Sequence, residues 1–182
     1  RRDVFPPAVT SDYIYVTSST TLVALDRANG QQLWTLELPS VATSGPAAND
    51  DFVYVQTADN KISAFALKLT EENQKQPWPI KRVFDKRPLT WFYSAGGPMV
   101  DPPIVLPELV AFATTHGVVY ASALKEKKIL YRFFTYSKQA APLANLGTDL
   151  FIATEEFDIY AIDLQNGFLR WRFVAGYPVY DK

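Results

Sequence analysis

The residue types that could run chemistry at neutral pH are sparse in this sequence. Among 182 residues there is one histidine, His116, and no cysteine. His116 sits in Thr115-His116-Gly117 between two β-rich runs, where no nucleophile, base and orienting residue can be assembled around it. With no second histidine to share a metal, it reads as a turn residue. The hydroxyls at residues 18–21 lack a partner base. Glu155, Glu156 and Asp158 invite an acid/base or metal assignment, but neighbours on a strand point to opposite faces, so the expectation there is a solvated turn. Lys125, Lys127 and Lys128 read as a solubilised turn. Gly96-Gly97 precedes no helix and is not a phosphate loop. Without cysteine, a disulfide scaffold, a thiolate zinc site and a cysteine nucleophile are all excluded.

The elements that carry these residues recur along the chain. ALDRANGQQLW, from Ala24, returns as AIDLQNGFLRW from Ala161, with Ala, Asp, Asn, Gly and Trp at identical offsets. A degraded copy, ASALKEKKILY from Ala121, keeps the alanine and puts Tyr131 in the tryptophan position, but has lost the Asp and the Gly. The alanine column reads Ala24, Ala64, Ala121, Ala161 in steps of 40, 57 and 40. The aromatic column reads Trp34, Trp91, Tyr131, Trp171 in steps of 57, 40 and 40. Both columns require 17 extra residues between Ala66 and Trp91.

Each period opens with a proline ahead of a turn and a β-rich run, as in PPAVTSDYIYV and GPAANDDFVYV. In the first period, residues 13–17, 22–26 and 32–38 read as strands and 7–9 supply a fourth, with no sustained helical periodicity. Four strands per period of roughly 40 residues predict an all-β fold, a β-propeller of four-stranded antiparallel blades. The repeats fall at approximately 6–44, 45–101, 102–140 and 141–182, in one domain over 1–182.

The motif has a physical reading. Gly30 and Gly167, each preceded by Asn, supply the positive φ of a tight turn between third and fourth strands. Asp26 and Asp163 can accept hydrogen bonds from amides of that turn. The aromatic residue then buries a flat surface against the next blade, and the small alanine leaves room for its ring. A blade cannot cover its own apolar faces, so each is stabilised by its neighbours. Trp171 is expected to be buried in this way, with a loss of about 3 to 5 kcal/mol on truncation.

The inserted segment, roughly 68–87, is what the repeat leaves unexplained. It holds six basic residues (Lys68, Lys75, Lys81, Arg82, Lys86, Arg87) against three acidic ones, a net +3 in a chain of net −1. Trp78 stands in it between Pro77 and Pro79. A proline-flanked tryptophan beside Lys81, Arg82, Lys86 and Arg87 is suited to anchor a protein partner or an acidic ligand. The alternative is that Trp78 folds onto the blade flank among solvated charges. The segment leaves its blade on the side of the turns bearing Asp12, Asp50, Asp51, Glu108 and Asp149, so pairing of the two signs within the chain is open to it. Near-neutral net charge gives no support to nucleic-acid binding, and no apolar run approaches the roughly 18 residues of a membrane span. A start at Arg1 with Met99 the one methionine reads as a mature or excised piece of something longer.

A-x-D-x-x-N-G-x-x-x-W at this period resembles the tryptophan-docking motif of the pyrroloquinoline-quinone-like (PQQ-like) repeat propellers. The resemblance implies part or half of a propeller of about seven or eight blades. It includes quinoprotein alcohol dehydrogenases, the propeller lipoprotein of the outer-membrane β-barrel assembly machinery, and envelope proteins that bind no quinone. The dehydrogenases use an adjacent cysteine pair and a carboxylate-rich calcium site. This chain has no cysteine and no convergent carboxylate set, so neither PQQ nor calcium is expected. The resemblance therefore implies a non-catalytic module of the bacterial periplasm or cell envelope that binds a protein partner or a second copy of itself. Binding could use the inserted loop, the central face or a blade edge. The alternatives are the propeller part of a dehydrogenase whose catalytic residues lie elsewhere, and an extracytoplasmic sensor domain.

Overall fold

The computed structural model describes residues 5–67 and 89–176. Among the described residues sixteen strands form four four-stranded antiparallel sheets, with no helix. The chain divides into two compact units, Arg1–Ser94 and Ala95–Lys182, each holding two sheets. Unit 1 contains β1 (Ala8–Val9), β2 (Tyr13–Ser18), β3 (Thr21–Asp26) and β4 (Gln32–Glu37), then β5 (Ala47–Ala48), β6 (Phe52–Thr57), β7 (Lys61–Ala66) and β8 (Leu89–Ser94). Unit 2 contains β9 (Ile104–Val105), β10 (Leu109–Ala113), β11 (Val118–Ala123) and β12 (Lys128–Phe134), then β13 (Ala144–Leu146), β14 (Asp149–Ala153), β15 (Asp158–Asp163) and β16 (Leu169–Val174). In every sheet the strands pair in chain order, the meander that one repeat per blade predicts.

Alternation along each strand gives a sheet two apolar faces, and the sheets of a unit bury one face of each together. In unit 1, Tyr15, Leu22, Ala24 and Leu36 of the first sheet cluster with Val53, Val55 and Phe65 of the second. In unit 2, Ala111, Ala113 and Val119 of the third sheet cluster with Leu150, Ile152, Tyr160 and Ile162 of the fourth. Each large aliphatic side chain buried this way contributes about 1.5 to 3 kcal/mol.

The segments between sheets add a second fastening. After β4 the chain lies along β6, with Thr43 N–H donating to Gln56 C=O (3.0 Å) and Ala58 N–H to Val41 C=O (2.8 Å). After β12 it does the same along β14, through Ala140 N–H to Ala153 C=O (2.9 Å) and Glu155 N–H to Lys138 C=O (2.9 Å). These bonds satisfy amides that a free loop would leave to solvent, and they hold the first sheet to the second and the third to the fourth.

Candidate functional site

The repeated motif builds the same turn in the first and fourth sheets. Gly30 and Gly167 adopt φ of +72° and +76°, and each donates its N–H to the carbonyl of the motif aspartate, Asp26 at 2.8 Å and Asp163 at 2.7 Å. Asp26 Oδ1 accepts from the N–H groups of Ala28 (2.7 Å) and Asn29 (3.2 Å), and Asp163 Oδ1 from Gln165 N–H (2.8 Å). The asparagine before each glycine closes the other side, Asn29 Oδ1 accepting from Gln31 N–H and Asn166 Oδ1 from Phe168 N–H, both at 2.8 Å. In the third sheet Lys127 stands where the glycine would be, at φ +54°. The turn survives there with a lysine in the left-handed region.

All four sheets share a feature that the motif does not announce. Between third and fourth strands the register slips by one residue, immediately after Ala24, Ala64, Ala121 and Ala161. The bulge places each alanine directly across from its aromatic partner: Ala24 and Trp34, Ala64 and Trp91, Ala121 and Tyr131, Ala161 and Trp171. Opposed residues share a face, so a larger side chain there would meet the ring. All four alanines are buried.

What the aromatics reach differs between blades. Trp34 packs against the core of unit 1, its ring 5.9 Å from that of Tyr15. Tyr131 of the third sheet lies over the Gly167 turn of the fourth. A Cβ on Gly167 would fall 2.5 Å from Cδ2 of Tyr131, and the Tyr131 hydroxyl donates to the carbonyl of Leu164 at 2.8 Å. Burial and the neighbouring Asp163 carboxylate push the Tyr131 phenol well up from its usual range. Trp171 corrects the expectation of burial: it is 47% exposed, in a strand β16 exposed along its whole length. The motif locates the ring, but no further sheet follows β16 among the described residues to cover it.

The candidate reactive groups do not converge. His116 is exposed, and its Nδ1 lies where a Cβ on Gly97 would come within 2.6 Å, so that glycine serves close packing. Glu155 and Glu156 are exposed turn residues, whereas Asp158 is buried, which corrects its reading as solvated. Asp158 Oδ2 accepts from Arg172 at 2.6 Å and from the Tyr160 hydroxyl at 3.3 Å, and the Arg172 guanidinium lies 5.5 Å from the Tyr160 ring centre. The hydrogen bond from Arg172 holds the Asp158 carboxyl below its ordinary value. Arg170 bridges Asp149 (2.7 Å) and Asp163 (2.9 Å). Among the described residues no three His, Asp or Glu side chains converge as a metal site. Asp149, Asp158 and Asp163 of the fourth sheet are each bonded to an arginine of β16.

Sequence reasoning passed over Arg170 and Arg172. The available signal was opposite charge within one predicted hairpin, since a register pairing Tyr160 with Arg172 sets the guanidinium beside Asp158.

Trp78, Lys81, Arg82, Lys86 and Arg87 lie outside the described residues. The chain enters their segment from Leu67, whose N–H donates to the Asp51 carbonyl at 2.8 Å. Leu67 also lines a hollow of about 410 Å³ with Asp12, Tyr13, Asn49 and Asp50. Leu67, the last described residue before the segment, thus lies beside acidic turns.

A PQQ-repeat family model, described as outer membrane protein assembly factor BamB, matches residues 3–79. Among solved structures, the chain is similar to BamB from Moraxella catarrhalis, with a TM-score of 0.69 at 16% identity over 91% of this chain and 48% of that one. It is also similar to the computationally designed Ika8 protein, with a TM-score of 0.74 at 15% identity over 95% of this chain and 49% of that one. No protein of curated function matches the chain. The likenesses show the fold, that of PQQ-like propeller blades, and the chain spans about half the length of the solved structures it matches.

Proposed function

We propose that this chain is a non-catalytic propeller module that binds protein in the bacterial cell envelope, on the periplasmic side, without PQQ or calcium. The observation that carries this reading is the match of residues 3–79 to a family described as an outer-membrane protein assembly factor. The match ends inside the inserted segment, so it includes Trp78 and stops before Lys81. A large aromatic flanked by prolines has little conformational entropy to lose on binding, and the four basic residues at 81, 82, 86 and 87 suit an acidic partner surface.

The test is a photo-crosslinking residue placed at position 78 in the chain expressed in a bacterial periplasm, with position 29, an exposed turn, as control. Crosslinks from position 78 to an outer-membrane β-barrel protein or to its assembly proteins support the reading. Labelling no stronger than at position 29 overturns it.

A further inference from the structure

Each unit shows how one blade of this chain seats on the next. In unit 2 the giving face belongs to the third sheet, with Ala111, Ala121 and Tyr131 in register across β10, β11 and β12. The receiving face belongs to the fourth sheet and consists of Leu150, Ile152, Tyr160 and Ile162, none more than 7% exposed. Above it, the Tyr131 ring covers the Gly167 turn.

Two other faces of the same construction stand open. The giving face of the fourth sheet pairs Phe151, Ala161 and Trp171 in register, and Ile159 with Phe173 beside them. Trp171 and Phe173 are 47% and 56% exposed. On the first sheet, Ile14, Val16, Val23 and Leu25 occupy the register positions of Leu150, Ile152, Tyr160 and Ile162, yet all four are half-buried. The turn above them is equally open. Gly30 has the backbone of Gly167, but a Cβ there would meet nothing within 4 Å, where one on Gly167 would meet the Tyr131 ring.

We propose that these two faces bind each other between two copies of this chain, with Trp171 of one copy seated over turn 26–30 of the other as Tyr131 is seated over the Gly167 turn. Two observations favour a second copy as occupant. The chain already forms this pairing internally, so both halves of the contact are built. The open faces are aromatic on one side and aliphatic on the other, and the nearby Arg170 and Arg172 are paired within their own sheet. Because giver and receiver differ, the contact is heterologous, and two copies can satisfy it reciprocally or in series. The inference goes beyond the proposed function and does not depend on it.

Sedimentation velocity of the 182-residue chain from about 1 to 200 μM tests it. Reversible self-association is expected, weakened at least about 30-fold by Trp171→Ala or by Val23→Glu. Gly30→Ala weakens it as well, since its methyl occupies the place of the incoming ring while meeting nothing in its own chain. This variant keeps the test intact if Val23→Glu fails to fold, which circular dichroism reports. An equimolar mixture of Trp171→Ala and Val23→Glu regains a two-chain complex, because each supplies the face the other has lost. A wild-type chain that stays monomeric over the whole range overturns the proposal and leaves the open faces to blades of another chain. Association indifferent to both Val23→Glu and Gly30→Ala also overturns it, since aromatic faces would then be meeting each other.

Discussion

Replacing Gly167 by alanine probes the seat of Tyr131, and Gly30→Ala is the internal control. Both glycines are left-handed and close the same turn, so both substitutions carry the cost of alanine in that region, about 1 kcal/mol. At Gly30 the added Cβ meets nothing within 4 Å, and the cost ends there. At Gly167 it would lie 2.5, 2.7 and 2.8 Å from three carbons of the Tyr131 ring, so the ring must move. Overpacking of this kind costs about 1 to 3 kcal/mol. Displacing the hydroxyl from Leu164 adds about 1 kcal/mol for the lost hydrogen bond. The expected losses are about 1 kcal/mol for Gly30→Ala and about 3 to 5 for Gly167→Ala. Urea denaturation in dilute solution measures both, with hydrogen exchange in β15 and β16 assigning the second loss to the fourth sheet. Combining Gly167→Ala with Tyr131→Ala removes the collision, so the two changes should couple strongly. Equal losses for the two glycines, or strictly additive costs in the double variant, would refute the seating of Tyr131.

Three further outcomes are expected. Lys127→Gly relieves a left-handed lysine at the glycine position of the turn and should raise stability by about 0.5 to 1 kcal/mol in thermal unfolding. Trp34→Ala should cost about 3 kcal/mol, and Trp171→Ala about half that in dilute solution, because Trp171 is 47% exposed; the same denaturation assay ranks them. Asp158 is held below its ordinary pKa by Arg172, so its contribution is full above the unfolded value near about 4 and is lost as pH falls through the lower folded value. Asp158→Asn should therefore lower stability at pH 7 and flatten the loss toward about pH 3, read as denaturation midpoints across that window.

How much of this could be read from residue order follows from the range of the interactions. The period of the alanine and aromatic columns located all four blades, because a blade is a meander whose turns are specified within a few residues. Asp26, Asn29 and Gly30 close their turn with hydrogen bonds spanning no more than five residues, so their types alone announce its geometry. The inserted segment was equally legible as a break in both columns. The register slip after each motif alanine was not, since a bulge depends on two strands matching each other and leaves no residue type as its mark.

The remaining differences came from neighbours distant in the chain. Trp34 and Trp171 occupy the same place in the same motif, yet one lies against a core and the other is half in water, because only the first has a following sheet in its unit. Gly30 and Gly167 are alike in sequence and backbone and differ only in the ring that covers the second. Asp158 looked like part of an exposed acidic turn until β16 brought Arg172 to within 2.6 Å. Local order set the blades, their turns and the positions of the docking rings, since these rest on short-range hydrogen bonds and side-chain size. Burial, ion pairing and the identity of the open faces were settled by packing, which depends on what the rest of the molecule places alongside.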